Sequence, residues 1–208
     1  MLQIIPALLV AITVVIQCLA VQMSRYRLSR MNARPPHHGL ALMSGMLAAA
    51  AIILRLYQND SAVGVLFMTI MTGCMTLMTL TDAASCRLPR PFTIMYLISG
   101  SAFRLWQGDW LTGLCSAGFW FPLLLLFRQY TSYRRKTETI GLGDVFLIAG
   151  IAIWSPPGDI PWIVATAAGG ALLYLWCNRQ RRITRELPFG PFLCASQYAF
   201  TFYPGGLW

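Results

Sequence analysis

Residues 62–91 read AVGVLFMTIMTGCMTLMTLTDAASCRLPRP, and this stretch decides the fold class. Its first part, residues 62–81, contains no charged side chain, and about 20 apolar residues in a helix are enough to cross a bilayer. Asp82, Arg87 and Arg90 follow at once, which is typical of the point where a helix leaves the membrane core. The stretch therefore predicts a transmembrane helix with an acidic side chain at its end.

The same apolar pattern recurs along the chain and excludes most soluble protein classes. Of the 208 residues, 57% are hydrophobic and 11% are charged, whereas an ordinary soluble domain carries roughly 25% charged residues. A conventional soluble enzyme, a disordered tail and a nucleic-acid-binding domain are excluded, so no nucleic acid partner is expected. We predict an all-α, polytopic integral membrane protein with about eight transmembrane helices, folded as a single domain over residues 1–208. The predicted spans are Leu2–Val21, Gly39–Leu56, Ala62–Thr81, Phe92–Trp106, Trp110–Phe127, Val145–Trp154, Ile160–Cys177 and Phe189–Leu207.

Clusters of positive charge predict the orientation of the chain. There are 16 Lys and Arg residues against 7 Asp and Glu, and the basic residues fall between the apolar runs. If the N-terminus lies outside, 14 of the 16 basic residues lie inside, as the positive-inside rule requires. Only Arg55 and Arg104 remain, near the outer ends of spans, where long basic side chains can snorkel to the interface. The predicted inner segments are residues 24–38, 82–91, 128–143 and 178–188.

Two acidic residues stand at the edges of predicted spans. Asp82 ends the third span, which runs inward, and Asp144 begins the sixth, which runs outward, so both lie at one depth near the cytoplasmic face. If these spans pack side by side, the carboxylates converge, and two carboxylates that share a proton can activate a water for attack on a peptide carbonyl. Each acid could instead be local, Asp144 as a helix cap and Asp82 as a boundary residue facing lipid. The other acids are placed in outer turns (Asp60, Asp109, Asp159) or in basic inner loops (Glu138, Glu186).

Other polar and sulfur-containing residues have structural interpretations. The threonines of the third span recur at helical spacing, which is typical of a surface where membrane helices pack. No two of the six cysteines form a CxxC pair, and a buried cysteine behaves as a small hydrophobic side chain. The adjacent His37 and His38 have no Cys or carboxylate nearby in their loop; zinc needs three or four ligands, so no metal site is expected. The threonines are Thr69, Thr72, Thr76 and Thr79, and the cysteines are Cys18, Cys74, Cys86, Cys115, Cys177 and Cys194.

Three segments resemble the type IV prepilin peptidases, a family of polytopic aspartic proteases of bacterial inner membranes. The segments read DAASCRLPRPFT (82–93), GLGD (141–144) and PFGPFL (188–193). The first is similar to the family's aspartate followed by Leu-Pro and by a Thr that opens the next span. The second is similar to the GxGD signature, and the third to the Pro-Phe-Gly-Pro before the last span. Because all three occur in order and on one side of the chain, the resemblance is specific, and it covers roughly residues 62–208.

The resemblance implies a single transmembrane peptidase domain that cleaves the leader peptide of type IV prepilins or pseudopilins. The cut would follow a Gly, at the cytoplasmic face of the inner membrane, with Asp82 and Asp144 as catalytic residues and no cofactor required for proteolysis. The implied partners are the prepilin or pseudopilin substrate, membrane lipid, and the pilus or type II secretion machinery. The implied substrate-binding residues are Gly141 and Gly143, where backbone can approach the substrate closely, and Pro89, Pro188, Gly190 and Pro191, in segments that cannot continue a helix.

The chain departs from the family's pattern in two places, and the first puts a second activity in doubt. Many members carry a large insertion with paired CxxC zinc motifs after the first span, whereas here that loop is Ser24–His38 and contains no cysteine. Many members also methylate the new N-terminus with S-adenosylmethionine, which this chain would need only if it retained that second activity. The Lys that the family often has two residues after the second aspartate is replaced by Phe146.

Two other functions fit part of the pattern. Another intramembrane protease could use the same GxGD chemistry on a different substrate, although the Pro-Phe-Gly-Pro segment argues against it. A small transporter could bind a proton or cation at Asp82 and Asp144. Transporter sites usually lie near the bilayer midplane, however, and these acids are predicted at its edge.

Overall fold

Each apolar run that the structure describes forms an α-helix, so the predicted all-α fold is confirmed. The computed structural model describes residues 4–31, 33, 38–57, 61–136, 141–178 and 187–201. The helices are α1 (Ile4–Arg30), α2 (His38–Tyr57), α3 (Ala62–Ser85), α4 (Arg90–Gln107), α5 (Trp110–Arg135), α6 (Leu142–Trp154), α7 (Ile160–Cys177) and α8 (Gly190–Thr201). The predictions for His37, Asp60, Glu138, Glu186 and the arginines between 179 and 186 lie outside the described residues.

Five of the described helices are long and apolar enough to cross a membrane, namely α1, α2, α3, α5 and α7. Helix α6 is also apolar but has only 13 residues, about 20 Å at 1.5 Å per residue, and it matches the short sixth run of the sequence. The chain is therefore a polytopic membrane protein. How many helices cross the membrane, and whether the N-terminus lies outside, stay predictions.

Exposed tryptophan and tyrosine side chains gather near the ends of the long helices. The middle of α5, by contrast, exposes Leu114, Phe119 and Leu123. Amphipathic aromatic rings favour the two membrane–water interfaces, and aliphatic side chains favour the lipid between them. This distribution supports the membrane assignment independently of helix length. The exposed aromatic residues near helix ends are Tyr26, Tyr57, Trp106, Trp110, Tyr130, Tyr133, Trp162, Tyr174 and Trp176.

Helices α3 and α6 form the centre of the fold, but they do not contact each other within the described residues. Helix α3 packs against α1, α2, α4 and α8, whereas α6 packs against α4, α5, α7 and α8. The expectation that the spans of Asp82 and Asp144 pack side by side is therefore wrong. Helices α4 and α8 contact both and bridge them.

Small residues bring α4 and α6 close together. A Cβ atom at Gly150 would lie 2.5 Å from the ring of Tyr96, and one at Gly100 would lie 2.7 Å from the indole of Trp154. Trp154 also stacks on Phe103 with ring centroids 5.2 Å apart, and its indole N–H donates to the Tyr96 carbonyl at 3.1 Å. Close backbone approach at small residues is a common way for membrane helices to associate, and here it fixes the position of α6.

Arg104 points into the protein and does not snorkel outward. Its side chain is buried, Nε donates to the carbonyl of Ile153 at 2.8 Å, and Nη2 donates to that of Trp154 at 3.4 Å. Nη1 forms an ion pair with Asp109 at 3.3 Å. The last carbonyls of a helix lack partners within it and carry partial negative charge, so Arg104 caps the C-terminal end of α6. Arg55 is buried as well.

Candidate active site

Asp82 lies in the last turn of α3 and is held by the start of α8. Its carboxylate is 4% exposed, and Oδ2 accepts a hydrogen bond from the backbone N–H of Gly190 at 2.9 Å. The C-terminal end of α3 disfavours an anion, whereas the N-terminal end of α8 favours one. Asp82 is therefore supported from a second helix, a contact across 108 residues of sequence.

The approach of Gly190 to Asp82 leaves no room for a side chain. A Cβ atom at position 190 would lie 2.8 Å from Oδ2 of Asp82 and 3.2 Å from its Cγ. Pro188 and Pro191, both half-buried, flank this glycine at the point where α8 begins. A proline is well tolerated in the first turn of a helix. The third motif of the sequence thus places a bare backbone N–H directly against the first aspartate.

Asp144 is positioned by its own helix. Gly141 is the N-cap residue of α6 with φ −63° and ψ 137°, and its carbonyl accepts from the N–H of Asp144 at 3.1 Å. The half-buried carboxylate of Asp144 in turn forms a hydrogen bond with the backbone of Gly141. The carboxylate at the third helical position reaches back to the N-cap residue as it does in a capping box, but Gly141 has no side chain to complete the box. A Cβ atom at Gly141 would lie 3.1 Å from Oδ2 of Asp144, so glycine leaves that carboxylate in place.

Gly143 joins the second motif to the first. A Cβ atom at position 143 would lie 2.7 Å from the Cβ atom of Leu88. Leu88 belongs to the short connection between α3 and α4, and the next residue, Pro89, is the N-cap of α4. The Leu-Pro pair thus packs against the start of α6 and brings the end of α3 and the GxGD turn into one region.

The two carboxylates meet although their helices do not. Asp82 and Asp144 are close enough for their charges to interact. The start of α8 and the Leu88 connection hold them in this relation. Two interacting carboxylates that share one proton form the pair by which an aspartic protease activates water, and such a pair titrates as a unit. The fold brings all of the sequence-predicted site residues to this region. They are the two aspartates Asp82 and Asp144, the glycines Gly141, Gly143 and Gly190, and, beside them, the prolines Pro89, Pro188 and Pro191.

Two further residues of the site were assigned only structural roles from the sequence. Cys194 is 1% exposed, and its thiol lies near Thr79 and within electrostatic range of both Asp82 and Asp144. The threonines of α3 could have predicted that Thr79 belongs to the site, because Thr79 lies on the same helical face as Asp82. The predicted packing role of these threonines is confirmed, because Nε2 of Gln17 on α1 donates to the Thr72 hydroxyl at 3.2 Å and the hydroxyls of Thr13 and Thr69 lie 3.2 Å apart.

No three His, Cys, Asp or Glu side chains come together as a metal site among the residues that the structure describes. The cysteines are all free thiols. The expectation that the site uses no metal stays a prediction. The site as described consists of two carboxylates, backbone N–H groups and small side chains.

The comparisons with known proteins agree with this geometry. Residues 69–176 match the model of the type IV leader peptidase family, a stretch that contains both aspartates. The chain is 30% identical over 174 residues to a prepilin leader peptidase/N-methyltransferase of Burkholderia pseudomallei, covering 79% of this chain and 53% of that protein. It is 31% identical over 141 residues to the leader peptidase HopD of Escherichia coli, covering 52% of this chain and 90% of that protein. The chain thus spans about half the length of the Burkholderia relative, and no solved structure matches it.

Proposed function

This chain belongs to the type IV leader peptidase family, and on that premise we propose that it is an aspartic endopeptidase of type IV prepilins or pseudopilins. The observation that carries the proposal is the convergence of Asp82 and Asp144, which lie on helices that do not touch. Family membership identifies the class of reaction, and the geometry supplies a pair of carboxylates able to perform it.

The mechanism assigns one proton to the pair. The ionised carboxylate takes a proton from a water molecule, which attacks the carbonyl carbon of the scissile peptide bond. The protonated carboxyl donates a hydrogen bond to the carbonyl oxygen, and the pair passes a proton to the departing amine as the C–N bond breaks, so that one proton again remains on the pair. The N–H of Gly190 holds the carboxylate of Asp82, and the Gly141 cap holds that of Asp144, so neither has to reorient during the reaction.

The substrate proposed is a prepilin or pseudopilin cut after a Gly at the cytoplasmic face of the inner membrane. Arginines at the end of the molecule that carries the site support this face. Arg87 and Arg90 follow Asp82 directly, and the guanidinium of Arg27, near the end of α1, lies 4.7 Å from the ring centroid of Phe92. Basic residues concentrate on the cytoplasmic side of membrane proteins. The pilus or type II secretion machinery and the surrounding lipid are the further partners proposed.

One cavity, of about 550 Å³, offers no site for a methyl donor. It is lined by Leu111, Thr112, Cys115, Ser116, Phe119, Trp120 and Pro157. None of these side chains carries a charge that could hold the carboxylate or the sulfonium of S-adenosylmethionine. The cavity also lies along the outer part of α5, whereas Asp144 begins the inner end of α6. We therefore propose proteolysis without a cofactor, and derive no step that involves a methyl donor.

The test is cleavage of a co-expressed prepilin with a Gly–Phe junction in membranes that contain the wild-type chain, Asp82→Asn or Asp144→Asn. We expect the wild type to cut and both variants to leave the prepilin intact at equal protein levels. Cleavage that survives both substitutions would exclude the pair. The mass of the mature N-terminus, measured in the same sample, decides separately whether a methyl group is added. If the wild type cuts no prepilin, proton or cation transport is the next activity to measure.

A further inference from the structure

One contact lies directly beneath the two aspartates. On α8, Cys194 stands one helical turn beyond Gly190, and on α3, Thr79 stands nearly one turn before Asp82. Because the two helices run in opposite directions, the pair Thr79–Cys194 lies about 5 Å deeper than the pair Asp82–Gly190. Thr79 and Cys194 are thus the next pair along the same helix–helix seam, which continues to the hydrogen bond from the Tyr198 hydroxyl to the Thr72 carbonyl at 3.2 Å.

Cys194 is buried one helical turn below the contact between Gly190 and Asp82. It is 1% exposed, and its thiol lies within electrostatic range of both Asp82 and Asp144. Helix α8 contacts α3 and α6, which do not contact each other. The side chain at position 194 therefore lies on the helix that connects α3, which carries Asp82, with α6, which carries Asp144.

We propose that Cys194, backed by Thr79, forms the floor of the catalytic space, and that its small size keeps room for the attacking water and the scissile peptide. The proposal rests on the proposed peptidase function. Cys194 acts through the aspartates and is a positioning residue. Protein interiors are close-packed, so an added methyl group at this position has to displace one of the carboxylates or the Thr79 side chain.

The experiment is a size series at position 194 with a matched control on the next residue. Cys194→Ser and Cys194→Ala keep the side chain small, whereas Cys194→Val and Cys194→Leu enlarge it. Ala195 is exposed on the same helix, so Ala195→Leu adds the same bulk toward lipid. We expect Val and Leu at position 194 to lower kcat about tenfold to 100-fold, with KM changed less than about twofold, and Ala195→Leu to leave both constants near the wild-type values.

A compensating variant separates a local steric effect from misfolding. If the floor is overfilled by Cys194→Val, then Thr79→Ala in the same chain makes room and should restore kcat at least partly, as neighbouring sites that share a cavity are coupled. A misfolded variant would gain nothing from a second truncation in the core. The amount of each variant in the membrane and its unfolding temperature in detergent are measured in parallel.

The outcomes distinguish this inference from the proposed function. A wild type that cuts no prepilin contradicts the peptidase function itself. A wild type that cuts, together with a Val or Leu variant of unchanged kcat, overturns the floor while leaving the peptidase intact. An equal loss in Cys194→Ala and Cys194→Val, or an equal loss in Ala195→Leu, overturns the size argument as well. Loss confined to the large side chains at position 194, with recovery through Thr79→Ala, supports it.

Discussion

The two aspartates are held in different ways. Asp82 is buried and receives its hydrogen bond from Gly190, 108 residues away on another helix. Asp144 is half-buried and forms its bond with Gly141, three positions before it in the same turn. One carboxylate therefore depends on the docking of α8, and the other depends on a local cap. A change in tertiary packing should disturb Asp82 first, whereas Asp144 should stay in place as long as α6 begins at the same residue.

The largest expected effect comes from removing either carboxylate, and here the two aspartates should behave alike. Asp82→Asn and Asp144→Asn each remove a group that takes part in proton transfer, so we expect each to lower prepilin cleavage at least about 10³-fold. Initial rates in isolated membranes measure this loss. A double variant no worse than either single variant is expected, because the two groups act as a unit. An activity that falls additively would show that the aspartates work independently.

The next effect should separate the two supports. Gly190→Ala places a Cβ atom 2.8 Å from Oδ2 of Asp82, and Gly141→Ala places one 3.1 Å from Oδ2 of Asp144. The first distance requires a shift of the buried Asp82 carboxylate or of α8. The second requires the Asp144 carboxylate to move by only a few tenths of an ångström. We expect about a 100-fold loss of kcat for Gly190→Ala and about a tenfold loss for Gly141→Ala.

Gly169→Ala on α7 is the control for these two variants, since a Cβ atom there would meet nothing within 4 Å. It should cleave like the wild type, as measured by kcat on the same prepilin. The reverse order of effects, with Gly141→Ala the more damaging, would contradict the view that Asp82 is the more constrained carboxylate.

A smaller effect should come from the contact that joins the two motifs. Gly143→Ala places a Cβ atom 2.7 Å from the Cβ atom of Leu88, so we expect about a tenfold loss of kcat. Truncating Leu88 to Ala leaves its Cβ atom in place but lets the connection between α3 and α4 move, and should recover part of that loss. A double-mutant cycle measures the coupling. Strictly additive losses would mean that the two segments do not act through each other.

The smallest effect on cleavage should come from the C-terminal end of α6, where the expected change is in stability. Arg104→Leu leaves the carbonyls of Ile153 and Trp154 without their donor, and should lower the free energy of unfolding by about 2 kcal/mol. Asp109→Asn removes only an ion pair whose acidic side chain is 51% exposed, and should lower it by less than about 1 kcal/mol. Unfolding in a mild detergent measures both. Equal effects would show that Arg104 acts mainly as the partner of Asp109.

The sequence was most informative where the controlling interactions are local. Apolar runs predicted the positions of the helices, because a helix in lipid must satisfy its own backbone. The glycines beside Asp144 and the Leu-Pro after Asp82 carried the resemblance from which the site residues were predicted, and the structure brings both segments to one region. The side-by-side packing of α3 and α6 was wrong, because nothing in either span records that α4 and α8 contact both.

Long-range contacts account for the other residues that the sequence did not resolve. Arg104 looked like an interfacial arginine, since the carbonyls that it caps lie about 50 residues further along the chain. Cys194 looked like an ordinary buried cysteine, since its relation to the aspartates arises only when α8 docks on α3. In both cases the residue type was compatible with an ordinary structural role, and only the tertiary contacts reveal the partners of the side chain.

The order of the helices along the chain also determines when each part of the site is synthesised. Gly190 is translated 108 residues after Asp82, an interval of about 5 to 20 seconds at a typical synthesis rate. Asp144 is translated 46 residues before Gly190, so for about 2 to 9 seconds of this interval both aspartates exist, while the helix start that holds Asp82 and the Cys194 side chain beneath it do not. The nascent chain therefore holds Asp144 in its local cap before Asp82 has its partner, and the pair is complete only after α8 has docked on α3.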